Sequence, residues 1–149
     1  VDFSEYEEGI WIGYRHFDTE KTDVRYPFGY GLSYTTFACE LIDVEVSGRD
    51  TLSRVKVTNT GKRAGSAVVQ LYLHDVEASV ERPFHELADF AKIRLAPGES
   101  GIVELAATER DFSFFSEKAD AFVFEPGKFE LRFGTSSRDI FSTETIDLR

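Results

Sequence analysis

From about residue 37 onward, apolar and polar positions alternate in short runs separated by turn residues, the period-2 signature of half-buried antiparallel strands. Leu41, Val44 and Val46 stand among polar neighbours up to Ser47-Gly48-Arg49-Asp50, where a turn is cheap. Val55 and Val57 alternate with Arg54, Lys56 and Thr58, and Asn59-Thr60-Gly61-Lys62 reads as a hairpin-like turn. The run Ala67-Val68-Val69-Gln70-Leu71-Tyr72-Leu73 is almost wholly apolar, which predicts a central strand covered on both faces. Tyr72 and His74 share one face of it by parity, and are expected to flank the sheet edge. Residues 75–86 are polar, contain Pro83 and read as a loop. Further strand signals follow at Phe90-Ile93-Leu95, Val103-Leu105-Ala107, Phe122-Val123-Phe124, Phe129-Leu131-Phe133 and from about Ile140 to Leu148. Ala96-Pro97-Gly98-Glu99, Glu125-Pro126-Gly127-Lys128 and Thr135-Ser136-Ser137-Arg138-Asp139 separate them. No convincing amphipathic helix interrupts the pattern. The fold class it predicts is all-β: an immunoglobulin/fibronectin type III-like antiparallel β-sandwich of about seven strands, with a closed barrel as the lesser alternative.

The first 36 residues do not follow that alternation. Of 21 aromatic residues, 10 (Phe3, Tyr6, Trp11, Tyr14, Phe17, Tyr26, Phe28, Tyr30, Tyr34, Phe37) lie within the first 37 positions. Each buries on the order of 150–250 Å² when covered. An aromatic-rich N-terminal extension of this kind needs a core or a partner surface, and two readings stand side by side: an arm folded onto its own domain, or a surface that lies against something else. The glycines of Pro27-Phe28-Gly29-Tyr30-Gly31-Leu32-Ser33-Tyr34 allow sharp turns or close approach in either case.

Composition narrows the partners. With 149 residues the chain fits one domain, and a formal charge of −10 argues against nucleic acid or an anionic membrane as a partner. Cys39 is the single cysteine, so no intrachain disulfide forms, and the compartment stays open. The chain has no methionine and starts at Val1, which reads as a piece of a longer protein.

Candidate chemistry is thin. Glycoside hydrolysis needs two carboxylates roughly 5–10 Å apart, but the acidic residues (Glu5, Glu7, Glu8, Glu81, Glu86, Asp111 among them) are so abundant that solvated faces account for them. His16, His74 and His85 lack metal-ligand spacing, and Asp18, Asp23 and Asp75 are not set in a calcium loop. Ser33 is outside any nucleophile elbow. Trp11, between Ile10 and Ile12, reads as packed, and Arg15 and Asp18 as a pair across a turn.

The order of landmarks carries more than any one of them. Tyr6-Glu7-Glu8-Gly9-Ile10-Trp11-Ile12-Gly13-Tyr14-Arg15-His16-Phe17-Asp18, then Pro27 to Phe37, Val57-Thr58-Asn59-Thr60-Gly61, Val68-Val69-Gln70-Leu71-Tyr72, Arg82-Pro83-Phe84-His85-Glu86-Leu87, Leu95 to Glu99, Glu125 to Phe129 and Ser136 to Ile140 together resemble the C-terminal part of glycoside hydrolase family 3 enzymes, the β-glucosidases and β-xylosidases. The resemblance implies that residues 1–36 are a connector from catalytic domains outside this chain, and that residues 37–149 are a fibronectin type III-like domain. It implies an accessory, non-catalytic role in a parent that hydrolyses terminal β-linked sugars. The alternative is a stand-alone carbohydrate-binding or adhesion module. The family's catalytic aspartate motif has no counterpart here, so no catalytic residue, metal site or cofactor is assigned. The interdomain or substrate-rim candidates are Trp11, Tyr14, Arg15, Phe28, Tyr30 and Tyr34. The expected partners are the catalytic domains of the same parent chain and an oligosaccharide at the rim, with homo-oligomerisation left open. Ala88-Asp89-Phe90 stands where these enzymes often have a Lys-Gly-Phe-like step, and Phe122 where a tryptophan is common; both bear on substrate subclass.

Overall fold

A computed structural model describes residues 7–149. Phe3 and Tyr6, part of the aromatic-rich extension, lie outside the described residues. Two antiparallel sheets face each other. The first has the order β1-β2-β5, from Phe37–Ser47, Asp50–Asn59 and Ser100–Ala107. The second has the order β4-β3-β8-β9, from Glu86–Leu95, Gly65–Asp75, Gly127–Ser136 and Asp139–Leu148. A small hairpin of β6 (Phe114–Ser116) and β7 (Ala121–Val123) stands beside them.

The alternation read from the sequence selects which side chains point inward. Val55 and Val57 of β2 and Val103 and Leu105 of β5 meet Val69, Leu71 and Leu73 of β3 and Phe129, Leu131 and Phe133 of β8, all buried. Phe112 closes one end of this core from α2 (Glu109–Phe112), a single turn held by a capping box between Thr108 and Asp111. Its ring meets Phe129 edge-on, with centroids 5.0 Å apart.

Two connections differ from the sequence reading. The Asn59-Thr60-Gly61-Lys62 turn does not close a hairpin, because β2 and β3 belong to different sheets and the turn carries the chain between them. Asn59, fully buried, organises this crossing. Its Nδ2 donates to the carbonyls of Arg63 (2.8 Å) and Leu95 (3.1 Å), and its Oδ1 accepts from Gly61 N–H (3.1 Å) and the Thr35 hydroxyl (2.7 Å). All four hydrogen-bonding positions of the amide are filled, which removes the penalty for burying it. In addition, Tyr72 and His74 are not at a sheet edge: β3 lies between β4 and β8, and Tyr72 is fully buried. The apolar run at 67–73 is covered on its second face, as expected, and residues 7–36 provide part of that cover.

Within this arm the chain forms α1 (Tyr14–Thr19), a helix of 6 residues. It is too short to register as a periodic pattern, and Gly13, at φ 58°, turns the chain into it. Trp11 is half-buried after a turn where its backbone N–H donates to the Glu8 carbonyl (2.9 Å), with Ile10 and Ile12 exposed on either side. The alternation at 10–12 is therefore not that of a strand.

Candidate functional site at the arm and the outer sheet face

The outer face of the four-stranded sheet carries Gln70, Tyr72 and His74 from β3, Arg132 from β8, and Phe84 and His85 from the loop before β4. Against it the arm lays Tyr14, Asp18, Phe28 and Gly29. A continuous line of rings results: Phe28 stacks on Tyr14 at 5.0 Å, Tyr14 meets Tyr72 edge-on at 5.8 Å, and Tyr72 stacks on His85 at 4.5 Å. Phe84 follows at 5.2 Å from His85, with the Arg132 guanidinium 4.1 Å above its ring. Gly29 sits directly on Gln70, with φ at 83°; a Cβ there would fall onto the Gln70 amide, so both space and backbone call for glycine.

Polar contacts fix the register of the arm. The Leu87 amide donates to the Tyr14 hydroxyl (2.7 Å), the Phe84 amide to the Thr19 hydroxyl (2.8 Å), and the Ser137 amide to the Phe28 carbonyl (2.8 Å). At the centre stands Asp18, whose side chain is 5% exposed. Its Oδ1 accepts from Arg138 Nε at 2.6 Å and its Oδ2 faces His85 Nε2 at 3.3 Å. Arg138 also donates through Nη2 to the carbonyls of Phe17 (3.1 Å) and Thr22 (2.7 Å), so one guanidinium holds both a side chain and the backbone leaving α1. Arg15 does not pair with Asp18. It reaches Glu86 at 3.2 Å, and Glu86 is also bound by Arg82 at 2.8 Å.

These environments shift the titrating groups. Burial would push the Asp18 carboxyl up, but the hydrogen bonds it accepts, that from Arg138 foremost, outweigh burial and hold it below the ordinary carboxylate range. His85 is pushed down by burial, with only partial compensation from Asp18; His74 is pushed down by burial and then by Arg132. Burial, with smaller contributions from Tyr14 and Asp18, raises the Tyr72 hydroxyl. A pH dependence follows. A histidine with a depressed folded pKa opposes folding once the unfolded chain takes up protons, so stability falls as pH drops below the ordinary histidine value of 6.5. The Asp18 contribution is present above its ordinary value of 3.8 and is lost as pH falls below it. Thermal melts from pH 8 to 4 are expected to show a fall beginning near 6.5 that is shallower in a His74→Gln/His85→Gln double variant. Parallel profiles for the two proteins would contradict this.

The arrangement seats the arm on the outer face of the sheet. A cleft of about 450 Å³ opens beside the clamp, lined in part by Lys21, Phe84, Arg132 and Ile140, but Asp18 is its one lining carboxylate and is already engaged by Arg138. Among the described residues, no group of three or more His, Cys, Asp or Glu could hold a metal ion, and no helix is long and apolar enough to cross a membrane. Of the residues singled out from sequence, the structure brings Tyr14 and Phe28 together on the sheet and places Arg15 beside them on Glu86. Tyr30 stacks with Tyr26 at 5.4 Å, both rings exposed, while Trp11 lies before α1 and Tyr34 is open to solvent. Asp18, His85 and Arg138 carry the joint and were not among those candidates.

Two facing antiparallel sheets with this connectivity define a fibronectin type III-like β-sandwich, and residues 67–137 match the family model described as a fibronectin type III-like domain. The chain belongs with the fibronectin type III-like domains carried by the β-glucosidases of glycoside hydrolase family 3. It is 46% identical over 146 residues to a β-glucosidase of Rhizobium radiobacter, covering 96% of this chain and 18% of that protein. It superposes on the Kluyveromyces marxianus β-glucosidase solved in complex with glucose with a TM-score of 0.93 at 39% identity, covering 97% of this chain and 18% of the other. The Bifidobacterium adolescentis GH3 β-glucosidase gives a TM-score of 0.91 at 39% identity, with 95% and 21% covered. The chain thus spans about a fifth of the length of the proteins it matches.

Proposed function

We propose that this chain is a non-catalytic accessory domain of a family 3 β-glycosidase, and that the longer polypeptide hydrolyses terminal β-linked sugars. In this reading residues 1–36 are the connector from the catalytic domains, residues 37–149 are the domain proper, and the partners are those catalytic domains. The observation that carries the reading is the arm: it is bolted to a complete sandwich on one side and leaves large apolar side chains bare on the other, in a chain that spans a fifth of its β-glucosidase relatives. Tyr30 and Tyr34, exposed along the arm, and Phe28, half-exposed where it stacks on Tyr14, are the residues this reading offers to the rim of a sugar pocket, and Trp11, Tyr14 and Arg15 are its interdomain candidates near α1.

The 149 residues alone are expected to turn over nitrophenyl β-glucosides no faster than buffer, whereas the longer polypeptide of the same reading frame hydrolyses them. Enzyme-like hydrolysis by the 149-residue chain would contradict the proposal. Saturable binding of soluble oligosaccharides or xylan by this chain, read by titration calorimetry, would instead favour a carbohydrate-binding module.

A further inference from the structure

The cleft of about 450 Å³ beside the clamp is bounded by the turn that ends α1 and by side chains of β8 and β9. Lys21 stands at that turn, one residue past the C-cap Glu20. The Thr22 amide donates back to the Phe17 carbonyl (2.9 Å), the six-to-one bond of a Schellman turn. Such a turn calls for a left-handed residue, ordinarily glycine, and Lys21 fills the position at φ 53°. Among the described residues, Asp120 is the one other non-glycine with positive φ. A lysine here costs backbone energy that glycine would not. What it adds is an exposed side chain that lines the cleft. Strain of this kind, retained where a commoner residue would relieve it, points to a use for the side chain.

The charges around the cleft are unequal. Arg138 is held by Asp18 and Arg132 by Glu130, whereas Lys21 pairs with no carboxylate among the described residues. Setting Lys21, Arg132 and Arg138 against Asp18 and Glu130 leaves one net positive charge, in a chain whose total is −10. Between these groups the walls are apolar: Ile140 lines the cleft, as does Phe84, which is 42% exposed. Ser137 also lines it, 2% exposed, with a hydroxyl that has no hydrogen-bond partner. We propose that this cleft binds a small carboxylate with a ring-sized apolar body, its charge met by Lys21 and its body covered by Phe84 and Ile140. The volume lies within the range of small-molecule sites, roughly 300–1,000 Å³. One uncommitted cation beside apolar walls suits a monoanion; a phosphate dianion would call on guanidinium groups that are already engaged. The site lies wholly within this chain and goes beyond the accessory-domain reading.

Titration with benzoate, benzamide and acetate, followed by amide shifts in nuclear magnetic resonance, tests the proposal. Benzoate is expected to saturate and to move the amides of residues 20–22, 84–85 and 137–143. Benzamide lacks the charge and acetate the ring, and each should bind at least roughly fivefold more weakly. Lys21→Gln should weaken benzoate by a similar factor and Lys21→Arg should retain most of the binding. Lys21→Gly should lose as much binding as Lys21→Gln while raising the melting temperature by roughly 2–4 °C, because the turn regains its preferred residue. Ligand-observed saturation transfer on the longer polypeptide should show a benzoate signal that Lys21→Gln diminishes. Benzamide binding as tightly as benzoate would overturn the role of Lys21, and no saturation by either would overturn the site. Shifts at the same amides with xylo-oligosaccharides but not with benzoate would overturn the ligand class. Binding that depends on Lys21 in this chain but vanishes in the longer polypeptide would overturn the site as one open in the whole protein.

Discussion

Replacing Asp18 with alanine is expected to free the arm from the outer sheet face while the sandwich beneath it stays folded. Asp18 is the point where the arm's charge meets two sandwich groups, Arg138 at 2.6 Å and His85 at 3.3 Å, in surroundings that leave its side chain 5% exposed. Removing one partner of a buried pair costs about 3–5 kcal/mol, chiefly because the remaining charge loses its counter-charge. Arg138 is 31% exposed and can recover some hydration, so the low end of that range, about 3 kcal/mol, applies. The loss falls on the arm, because Asp18 and the two carbonyls that Arg138 holds, Phe17 and Thr22, all belong to it. Amide exchange should accelerate by on the order of a hundredfold over residues 14–28, trypsin should cut sooner at Arg15, Lys21 and Arg25, and the far-ultraviolet spectrum of the sandwich should hold. Asp18→Asn, which keeps an acceptor for Arg138, should give a smaller change in the same direction. Unchanged exchange in Asp18→Ala would mean that the ring stack from Phe28 to His85 holds the arm without the clamp.

The strands were legible because each obeys a local rule. In β8, Phe129, Leu131 and Phe133 alternate with Lys128, Glu130 and Arg132 with little noise, and the three apolar side chains are fully buried. β2 shows the same for Val55 and Val57. The continuous apolar run of β3 correctly signals two covered faces, but alternation cannot say what supplies the second cover. Here it is an arm that joins the sheet through contacts distant in sequence, such as Leu87 to Tyr14 at a separation of 73. The turn at 59–62 was misread for a related reason: a short polar turn after a strand looks the same whether the next strand pairs with it or crosses to the other sheet.

The joint was least legible. Arg15 and Asp18 are spaced for a local pair, and proximity in sequence favours that reading, yet the partner of Asp18 is 120 residues away. Nothing in Pro83-Phe84-His85 marks the histidine as buried, since loop residues are ordinarily exposed; it is the stacking of Tyr72 and Tyr14 that encloses it. Phe90, grouped in sequence with Ile93 and Leu95 as one strand signal, stands by parity on the opposite face from them and is 62% exposed. The density of rings in the first 37 residues points to Tyr14 and Phe28 as interdomain or substrate-rim candidates, and the structure stacks both rings in the line that reaches Tyr72 of the domain's own sheet. In the described part of the arm, that excess divides between rings that cover β3 and rings left in water.

The largest stability loss is expected in the core, from Phe129→Ala. Phe129 is 1% exposed, meets Phe112 edge-on at 5.0 Å and stacks with Phe124 at 6.2 Å, so its ring joins α2, the strand and the segment before it. Truncation removes the transfer free energy of a whole ring and leaves a cavity between sheets whose backbones are fixed by ladders on both sides, at a cost of about 3–5 kcal/mol. For a domain of this length each kcal/mol lowers the melting temperature by about 2–4 °C, so a drop of roughly 10 °C is expected by calorimetry. Phe115→Ala is the matched comparison: the same chemical change at a ring that is half exposed and loses mainly its edge-on contact with Phe122 at 5.2 Å, worth about 1 kcal/mol or less. Because α2 is a single turn anchored largely by Phe112, Phe129→Ala should also loosen Glu109–Phe112, visible as faster amide exchange there, whereas Phe115→Ala should not. Equal melting shifts in the two variants would place the weight of the domain's stability outside the interface between the two sheets.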